Sequence, residues 1–304
     1  MIAIDLFAGA GGFSEGARQA NVTVKWAANH WRQAVDIHSE NHPETEHACQ
    51  DLQQADWRLV PKHDVILASP ACQGHSPARG KERPHHDALR STAWAVVSCA
   101  EYHRTPAIVV ENVPQFTEWQ LYPAWLHAMH SLGYAVAPHI LDSADHGVPQ
   151  HRERLFLICT QSKHPLELNL ERREHRPIGE VIQWDSEKWK PIEKPGRSKN
   201  TLSRIAAGRA KFGDRFVAPY YSKGSGLTGR SIHRPIGTIT TRDRWAVVDG
   251  DRMRMLQIPE AKLAMGFSPE YKLPRTHKDA MFMLGNAVCP PQARDILVAL
   301  RAAA

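Results

Sequence analysis

No apolar run in this 304-residue chain approaches the ~20 residues that a membrane-spanning helix requires, so a transmembrane bundle is excluded. Cysteine is scarce. Five thiols, an odd number with no CxxC spacing, argue against a disulfide framework and against a thiol-rich metal centre. Cys99, Cys159 and Cys289 sit in apolar surroundings and are expected to be inert core residues, while Cys49 is uninformative. His38, His42 and His47 lie close together, but Pro43 interrupts any helix that would align them, and no metal site is expected there. Internal repeats and low-complexity tracts are also missing. Met1 leads straight into the strand-like Ile2-Ala3-Ile4, without the basic segment, apolar core and small-residue cleavage site of a secretory leader. The expectation is a soluble, cytoplasmic protein.

What is present is ordinary in amount and uneven in placement. Apolar residues make up 42% and charged residues 23%, a globular composition, and the length suffices for one large domain plus a smaller one. The net charge of +6 is concentrated: residues 160–245 hold 18 Lys plus Arg against 9 Asp plus Glu, which leaves 20 against 23 elsewhere. With Trp184, Trp189, Phe212, Tyr220 and Tyr221 interleaved, this basic stretch suits a nucleic-acid surface better than a merely solvated face. Upstream of it, short β-rich runs at 2–6, 23–27, 64–68, 107–110, 135–140 and 155–159 alternate with helix-length segments at 33–40, 90–102 and 123–132. That alternation predicts an α/β fold, a Rossmann-like doubly wound and mostly parallel sheet whose ligands gather at the carboxyl ends of its strands. Beyond residue 160 the texture turns to Pro, Gly, Lys and Arg with weak periodicity, which reads as a small irregular domain, and helical pattern returns at 259–265 and 291–303. The expected division is 1–160, 161–245 and 246–304, the last segment returning to the first domain.

The conspicuous side chains fall at the strand ends. The run Val65-Ile66-Leu67-Ala68 breaks at Ser69-Pro70-Ala71, and Cys72 follows at once, where a thiol can serve as a nucleophile. Glu111-Asn112 ends the run at 107–110, and Gln150-His151-Arg152-Glu153-Arg154 precedes the one at 155–159. If that segment is strand, Arg152 and Arg154 share a face. Thiol, carboxylic acid and arginines at successive strand ends suggest one pocket. Asp5-Leu6-Phe7-Ala8-Gly9-Ala10-Gly11-Gly12-Phe13 sets a glycine-rich turn between the first strand and a helix, so that backbone N–H groups can approach a ligand closely.

This order of segments, together with Gly285-Asn286-Ala287-Val288 near the end, closely resembles the DNA cytosine-5 methyltransferases over nearly the whole chain. The resemblance implies a class I methyltransferase fold with a target-recognition domain at 161–245, S-adenosyl-L-methionine as cofactor, and double-stranded DNA as substrate. It implies that Asp5, Phe7, Gly9 and Gly11 belong to the cofactor motif, that Trp31 covers the adenine ring, that Asp51 meets the adenine edge and that Asn286 reaches the methionine end. By the same resemblance Cys72 adds to carbon 6 of a flipped cytosine, and Glu111 holds and protonates nitrogen 3. Arg152 and Arg154 bind the base oxygen with Gln150 in support, Asn112 orients the site backbone, and Ser76, Arg79 and Arg90 on a polar loop contact the substrate. Residues 252–271 resemble a supporting scaffold.

Two positions depart from the family's pattern. His30 stands where most members place an acidic residue that accepts from the ribose hydroxyls, and a neutral imidazole accepts one hydrogen bond where a carboxylate accepts several. Ala71 stands directly before the cysteine, where the family usually has proline, with Pro70 one place earlier, so the fixed φ of proline is displaced by one residue. The resemblance leads to a DNA cytosine-5 methyltransferase acting as a monomer in a restriction-modification or phage system, paired with a restriction endonuclease. Its rivals are a transfer-RNA methyltransferase on the same core and a catalytically silent DNA-binding regulator.

Overall fold

The computed structural model describes residues 1–71, 91–220 and 229–303, which form two compact units: Met1–Asp142 with Glu153–Arg172 and Ala287–Ala304, and Ser143–Arg152 with Arg173–Asn286. The first unit is built on strands β1 (Ile2–Leu6), β2 (Thr23–Asn29), β3 (Glu46–Cys49), β4 (Val65–Ala68), β5 (Ala107–Asn112), β6 (Ala135–Asp142) and β7 (Glu153–Thr160), in the spatial order β3-β2-β1-β4-β5-β7-β6. The pairings from β3 through β5 are parallel, and β7 runs antiparallel to both its neighbours. Strand order reverses between β1 and β4, the point at which such sheets open a crevice beyond their carboxyl ends. The mostly parallel, doubly wound α/β fold read from the sequence is the fold found.

Residue alternation explains why both faces are covered. Ile4, Leu6, Ile66, Ala68, Ile108 and Val110 point to one side, where they pack with α3 (Trp94–His103) and α4 (Tyr122–Ser131) through Val96, Cys99, Trp125 and Met129. Their alternates Ala3, Val65, Leu67, Ala107 and Val109 point to the other side. There they meet α1 (Gly12–Gln19) and the terminal helix α8 (Pro290–Ala303) through Phe13, Ala17, Ile296, Leu297 and Leu300. Helix α2 (Arg32–Asn41) lies beside β2 and β3. The terminal helix packs chiefly on α1: a Cβ added at Gly12 would lie 2.1 Å from the Val288 carbonyl oxygen, and one at Gly16 2.5 Å from the Ala293 Cβ. Only glycine allows that approach.

The second unit is more regular than its composition suggests. Strands β8 (Lys190–Pro191), β9 (Arg215–Pro219), β10 (Arg230–Ser231), β11 (Trp245–Asp249) and β12 (Arg252–Met255) form an antiparallel sheet in the order β10-β9-β11-β12-β8. Phe216, Ala218, Ala246, Val248 and Met253 pack there with Ile192 and with Ile205 of α5 (Lys199–Phe212). Helices α6 (Ile258–Ala264) and α7 (His277–Asn286) follow. The two units divide the chain differently from the boundaries at 160 and 245. Residues 161–172 stay with the large sheet, where Leu166, Leu168 and Leu170 pack on its core, and 246–286 belong with the small sheet because β11 and β12 are two of its strands. Among the described residues no helix is long and apolar enough to cross a membrane.

Candidate active site

The carboxyl edge of β1 carries the glycine-rich turn. Phe7, Gly9 and Gly11 all take left-handed φ values (63°, 53° and 78°), so the chain doubles back at once into α1. The Gly11 N–H donates to the Ala8 carbonyl at 2.7 Å, and the Ala8 N–H to the Ala28 carbonyl of β2 at 3.0 Å. At the end of β2, His30 is exposed and Trp31 half-buried, its N–H held by the Asn29 side chain at 2.9 Å. Beyond β3, Asp51 is exposed and accepts from the Gln53 N–H at 3.0 Å, which caps a short 3-10 turn. A glycine turn at a helix start, an indole face and an exposed carboxylate on three adjacent strand ends suit a group with an adenosyl moiety.

Asp5 lies deeper than the rest of this set. It is 1% exposed, its Oδ2 accepts from the Ser14 hydroxyl at 2.7 Å, and burial pushes its carboxyl up to about 7 against the two Ser14 hydrogen bonds. Ser14 leads into a cluster that spacing alone had set aside. His38 Nε2 lies 3.0 Å from the Ser14 hydroxyl, and His38 Nδ1 lies 2.8 Å from His47 Nε2. The His42 ring lies 4.6 Å from that of His38, tilted by 42°. Since Ser14 donates to Asp5, His38 donates from Nε2 to Ser14 and accepts at Nδ1, a neutral tautomer. Burial agrees with that state: it holds His38 well below the ordinary imidazole range and brings His42 down to about 4. Strand β3 brings His47 to α2, so the helix break at Pro43 does not keep the three imidazoles apart. Among the described residues no His, Cys, Asp or Glu group is arranged to hold a metal ion.

On the other side of the strand reversal, Ser69 continues the β1–β4 pairing through its N–H to the Leu6 carbonyl at 3.1 Å. The Pro70 carbonyl accepts from Asn112 Nδ2 at 3.1 Å, and the Ala71 N–H donates to Thr92 Oγ1 at 3.1 Å. Cys72, Ser76, Arg79 and Arg90 lie outside the described residues. Glu111 and Asn112 end β5, 6% and 2% exposed. Because β7 runs against β5, its first residues reach the same edge: Glu111 pairs with Phe156, and Arg154 Nε lies 3.0 Å from Glu111 Oε1. Arg154 Nη1 also donates to the Glu153 carbonyl at 2.7 Å. The structure thus brings an acid and an arginine from two strands to within ion-pair distance at the edge where β4 delivers Pro70 and Ala71.

Gln150 and Arg152 belong to the second unit. Arg152 precedes β7, is 1% exposed, and donates to the Ile239 carbonyl at 3.1 Å and the Gly285 carbonyl at 2.9 Å. Gln150, fully buried, donates to the Ala264 carbonyl at 3.1 Å and accepts from the Ile239 N–H at 2.6 Å. Both side chains tie residues 149–152 to 236–239, to the end of α6 and to α7. Asn286, the last residue of α7, is exposed. On the small sheet the interleaved aromatics serve arginines. Arg215 lies 4.7 Å over Trp184, Arg252 and Arg254 lie 4.8 and 4.6 Å over Trp189, and the two indoles stack at 6.4 Å. Cys99, Cys159 and Cys289 are buried, as expected, and burial raises the first two thiols far above their ordinary range.

Comparison with known proteins identifies what this arrangement is. The family model for C-5 cytosine-specific DNA methylases matches residues 1–302, and the chain belongs to that family. Among its relatives, the Type II methyltransferase M.NlaX of Neisseria lactamica is 26% identical over 99% of this chain and 96% of its own length. The Type II methyltransferase M.HhaI of Haemophilus parahaemolyticus is 25% identical over 94% of this chain and 89% of its own. A solved DNMT2 structure from Spodoptera frugiperda superposes with a TM-score of 0.72 at 16% identity, covering 99% of both chains, a likeness of fold.

Proposed function

We propose that this chain transfers the methyl group of S-adenosyl-L-methionine to carbon 5 of a flipped cytosine in duplex DNA through a covalent Cys72 adduct. The observation that carries the reading is the Glu111–Arg154 pair at the edge to which β4 delivers Pro70 and Ala71, the residues that precede Cys72 in sequence. Carbon 5 of cytosine is a poor nucleophile, and addition of a thiolate to carbon 6 makes it an enamine carbon. Glu111 holds the ring at nitrogen 3 and supplies the proton there while the sulfur–carbon bond forms, and Arg154 aligns the Glu111 carboxylate and binds the base oxygen. The cofactor, when bound, supplies an electrophilic methyl group on a sulfonium. Phe7, Gly9, Gly11, His30, Trp31 and Asp51 are the residues that would hold it. After the transfer the proton on carbon 5 leaves to a base, the sulfur–carbon 6 bond breaks to release Cys72 as the thiolate, and nitrogen 3 returns its proton to Glu111. Asp5 acts one layer below the cofactor turn, and Ser76, Arg79 and Arg90 are assigned to substrate contact.

The Type II relatives support a further placement, as the modification partner of a restriction endonuclease. Bisulfite sequencing of genomic DNA from a host that lacks cytosine-5 methylation and expresses the protein tests the whole reading, with Cys72→Ser as control. Protection of cytosines in one recurrent sequence, lost in the variant, is the expected result. Protection that survives Cys72→Ser refutes the adduct. Label transfer to transfer RNA but not to duplex DNA moves the substrate to RNA, and a folded protein that binds no cofactor by calorimetry is a regulator instead.

A further inference from the structure

Three hydrogen bonds join four side chains end to end from β3 to β1. His47 Nε2 lies 2.8 Å from His38 Nδ1, His38 Nε2 lies 3.0 Å from the Ser14 hydroxyl, and that hydroxyl lies 2.7 Å from Asp5 Oδ2. The outer end, His47, is half-buried, whereas His38, Ser14 and Asp5 are each 1% exposed. Asp5 Oδ1 is buried with no partner among the described residues, which makes the ionised carboxyl costly there. The two imidazoles also line, with Ala8, Gly9, Ala28 and Asn29, one pocket against the glycine turn. The chain of bonds therefore meets that turn twice, at this pocket and at Asp5, two residues ahead of Phe7. Every link can run in either direction, because a neutral imidazole and a hydroxyl each donate and accept, and a carboxyl donates once protonated. With Asp5 ionised all three bonds point inward, from His47 to His38 to Ser14 to Asp5. With Asp5 protonated all three point outward.

We propose that His47, His38, Ser14 and Asp5 are a proton relay that sets the charge beneath the cofactor turn: one proton entering at His47 reverses all three hydrogen bonds and neutralises Asp5. The inference rests on the reading that this turn holds S-adenosyl-L-methionine. The transfer balances. His47 gains a proton from water on Nδ1 and passes its Nε2 proton to His38 Nδ1, His38 passes its Nε2 proton to Ser14, and Ser14 passes its hydroxyl proton to Asp5. Both imidazoles and the hydroxyl are neutral before and after, and only the carboxyl changes charge. Burial favours that outcome, since it opposes an imidazolium at His38 and an ionised carboxyl at Asp5, and the Thr45 backbone favours a proton on His47. The other ionisable groups that face these rings do not compete. His42 is brought down to about 4 by burial, and Glu15, though buried, is held below the ordinary carboxylate range by Arg18 at 2.7 Å. The cofactor carries a sulfonium cation that its demethylated product lacks, so an anion at Asp5 favours the first over the second.

The test starts from the full chain with isotope-labelled histidine and no ligand, read by nitrogen NMR from about pH 8 to about pH 6. His38, assigned by the signals that His38→Gln loses, should exchange the roles of its ring nitrogens, with Nε2 protonated at the upper end and Nδ1 at the lower, and never become an imidazolium. The exchange should vanish in Ser14→Ala, which cuts the chain of bonds, and in Asp5→Asn, whose charge cannot change. One fixed tautomer across the range, an imidazolium at His38, or an exchange that survives either variant overturns the relay. Calorimetry then compares S-adenosyl-L-methionine with its demethylated product, S-adenosyl-L-homocysteine. The preference for the charged compound should fall about fivefold from about pH 8 to about pH 6 in the parent and stay level in Asp5→Asn. A preference that ignores pH in the parent, or that falls as far in Asp5→Asn, overturns the control of binding. If neither compound binds while His38 exchanges its tautomers, the cofactor reading fails and the relay stands. If both bind and His38 keeps one tautomer, the relay fails alone.

Discussion

Replacing Gly12 by alanine puts the link between the cofactor turn and the terminal helix under direct strain. The added Cβ would lie 2.1 Å from the Val288 carbonyl oxygen, 2.9 Å from its carbonyl carbon and 3.1 Å from its nitrogen, and all three are backbone atoms that no rotamer change can move. Ordinary contact begins near 3.4 Å, so α1 and the chain entering α8 must part by about 1.3 Å. The same two helices meet again at Gly16, where an added Cβ would lie 2.5 Å from the Ala293 Cβ and 2.7 Å from the Pro290 oxygen, so no slide that opens one contact is free at the other. Phe13, Ala17, Ile296, Leu297 and Leu300 all pack at this seam. Overpacking against rigid backbone places the cost at about 3 kcal/mol, or about 6–12 °C in melting temperature for a unit of this size. Gly133→Ala is the control. Its φ is +89° with nothing within 4 Å of the added Cβ, so only left-handed strain of about 1 kcal/mol applies. Urea unfolding followed by tryptophan fluorescence measures both, and calorimetric titration with S-adenosyl-L-methionine should show weakened binding for Gly12→Ala alone, because α1 carries the Phe7–Gly11 turn. A Gly12→Ala protein no less stable than Gly133→Ala would refute the argument.

Two further outcomes follow from buried charge. Arg254 and Glu260 form a bidentate pair at 2.6 and 2.7 Å with side chains 2% and 0% exposed, and Glu260 also accepts the Gln183 and Gln257 N–H groups, so Glu260→Gln should cost the second unit about 3–5 kcal/mol in urea; a loss near zero would contradict the pairing. His38 and His42 are kept neutral by burial, so below pH 6.5 the unfolded chain gains protons that the folded chain refuses, and stability falls with pH. Asp5, pushed up from 3.8 to about 7, works against this, since it is protonated in the fold where the unfolded carboxyl is ionised. Two histidines against one carboxyl leave a net loss of about 1.4 kcal/mol per pH unit between about pH 6 and pH 5, to which His47, also lowered by burial, adds in the same sense. Denaturation at those two pH values that gave equal stability would refute it.

The large sheet was legible because each of its central strands is apolar on both faces, and such runs stand out from the amphipathic helices between them. Strand β3 was not: it reads Glu46-His47-Ala48-Cys49, lies at the sheet edge and buries no residue fully. The small sheet escaped for a different reason. Strands β8 and β10 are two residues long, and β9 finds its partner β11 some thirty residues away, so neither length nor local turn chemistry announces a sheet. The division into units is hard to read from sequence because the chain passes between them inside what looks like one continuous segment: residues 143–152 leave the large sheet for a single loop between β6 and β7 and return.

The candidate site shows where pattern reasoning stops. Glu111, Asn112 and Arg154 were visible because they terminate or begin apolar strands, and position along a strand dictates where such side chains emerge. Arg152 marks the limit of that rule. Alternation places residues two apart on one face only while both are in the strand, and β7 begins at Glu153. Before that point the backbone pairs instead with Ile236, through the His151 N–H at 2.7 Å, and the Arg152 side chain follows the backbone to Ile239 and Gly285. Thr92, Ser14 and His38 were invisible for the converse reason: their hydrogen bonds run to Ala71, to Asp5, and to Ser14 and His47 in turn, and no periodicity encodes a partner 9 to 24 residues away. Spacing within an element predicts direction. What a side chain meets there is decided by a second element, and only the fold supplies it.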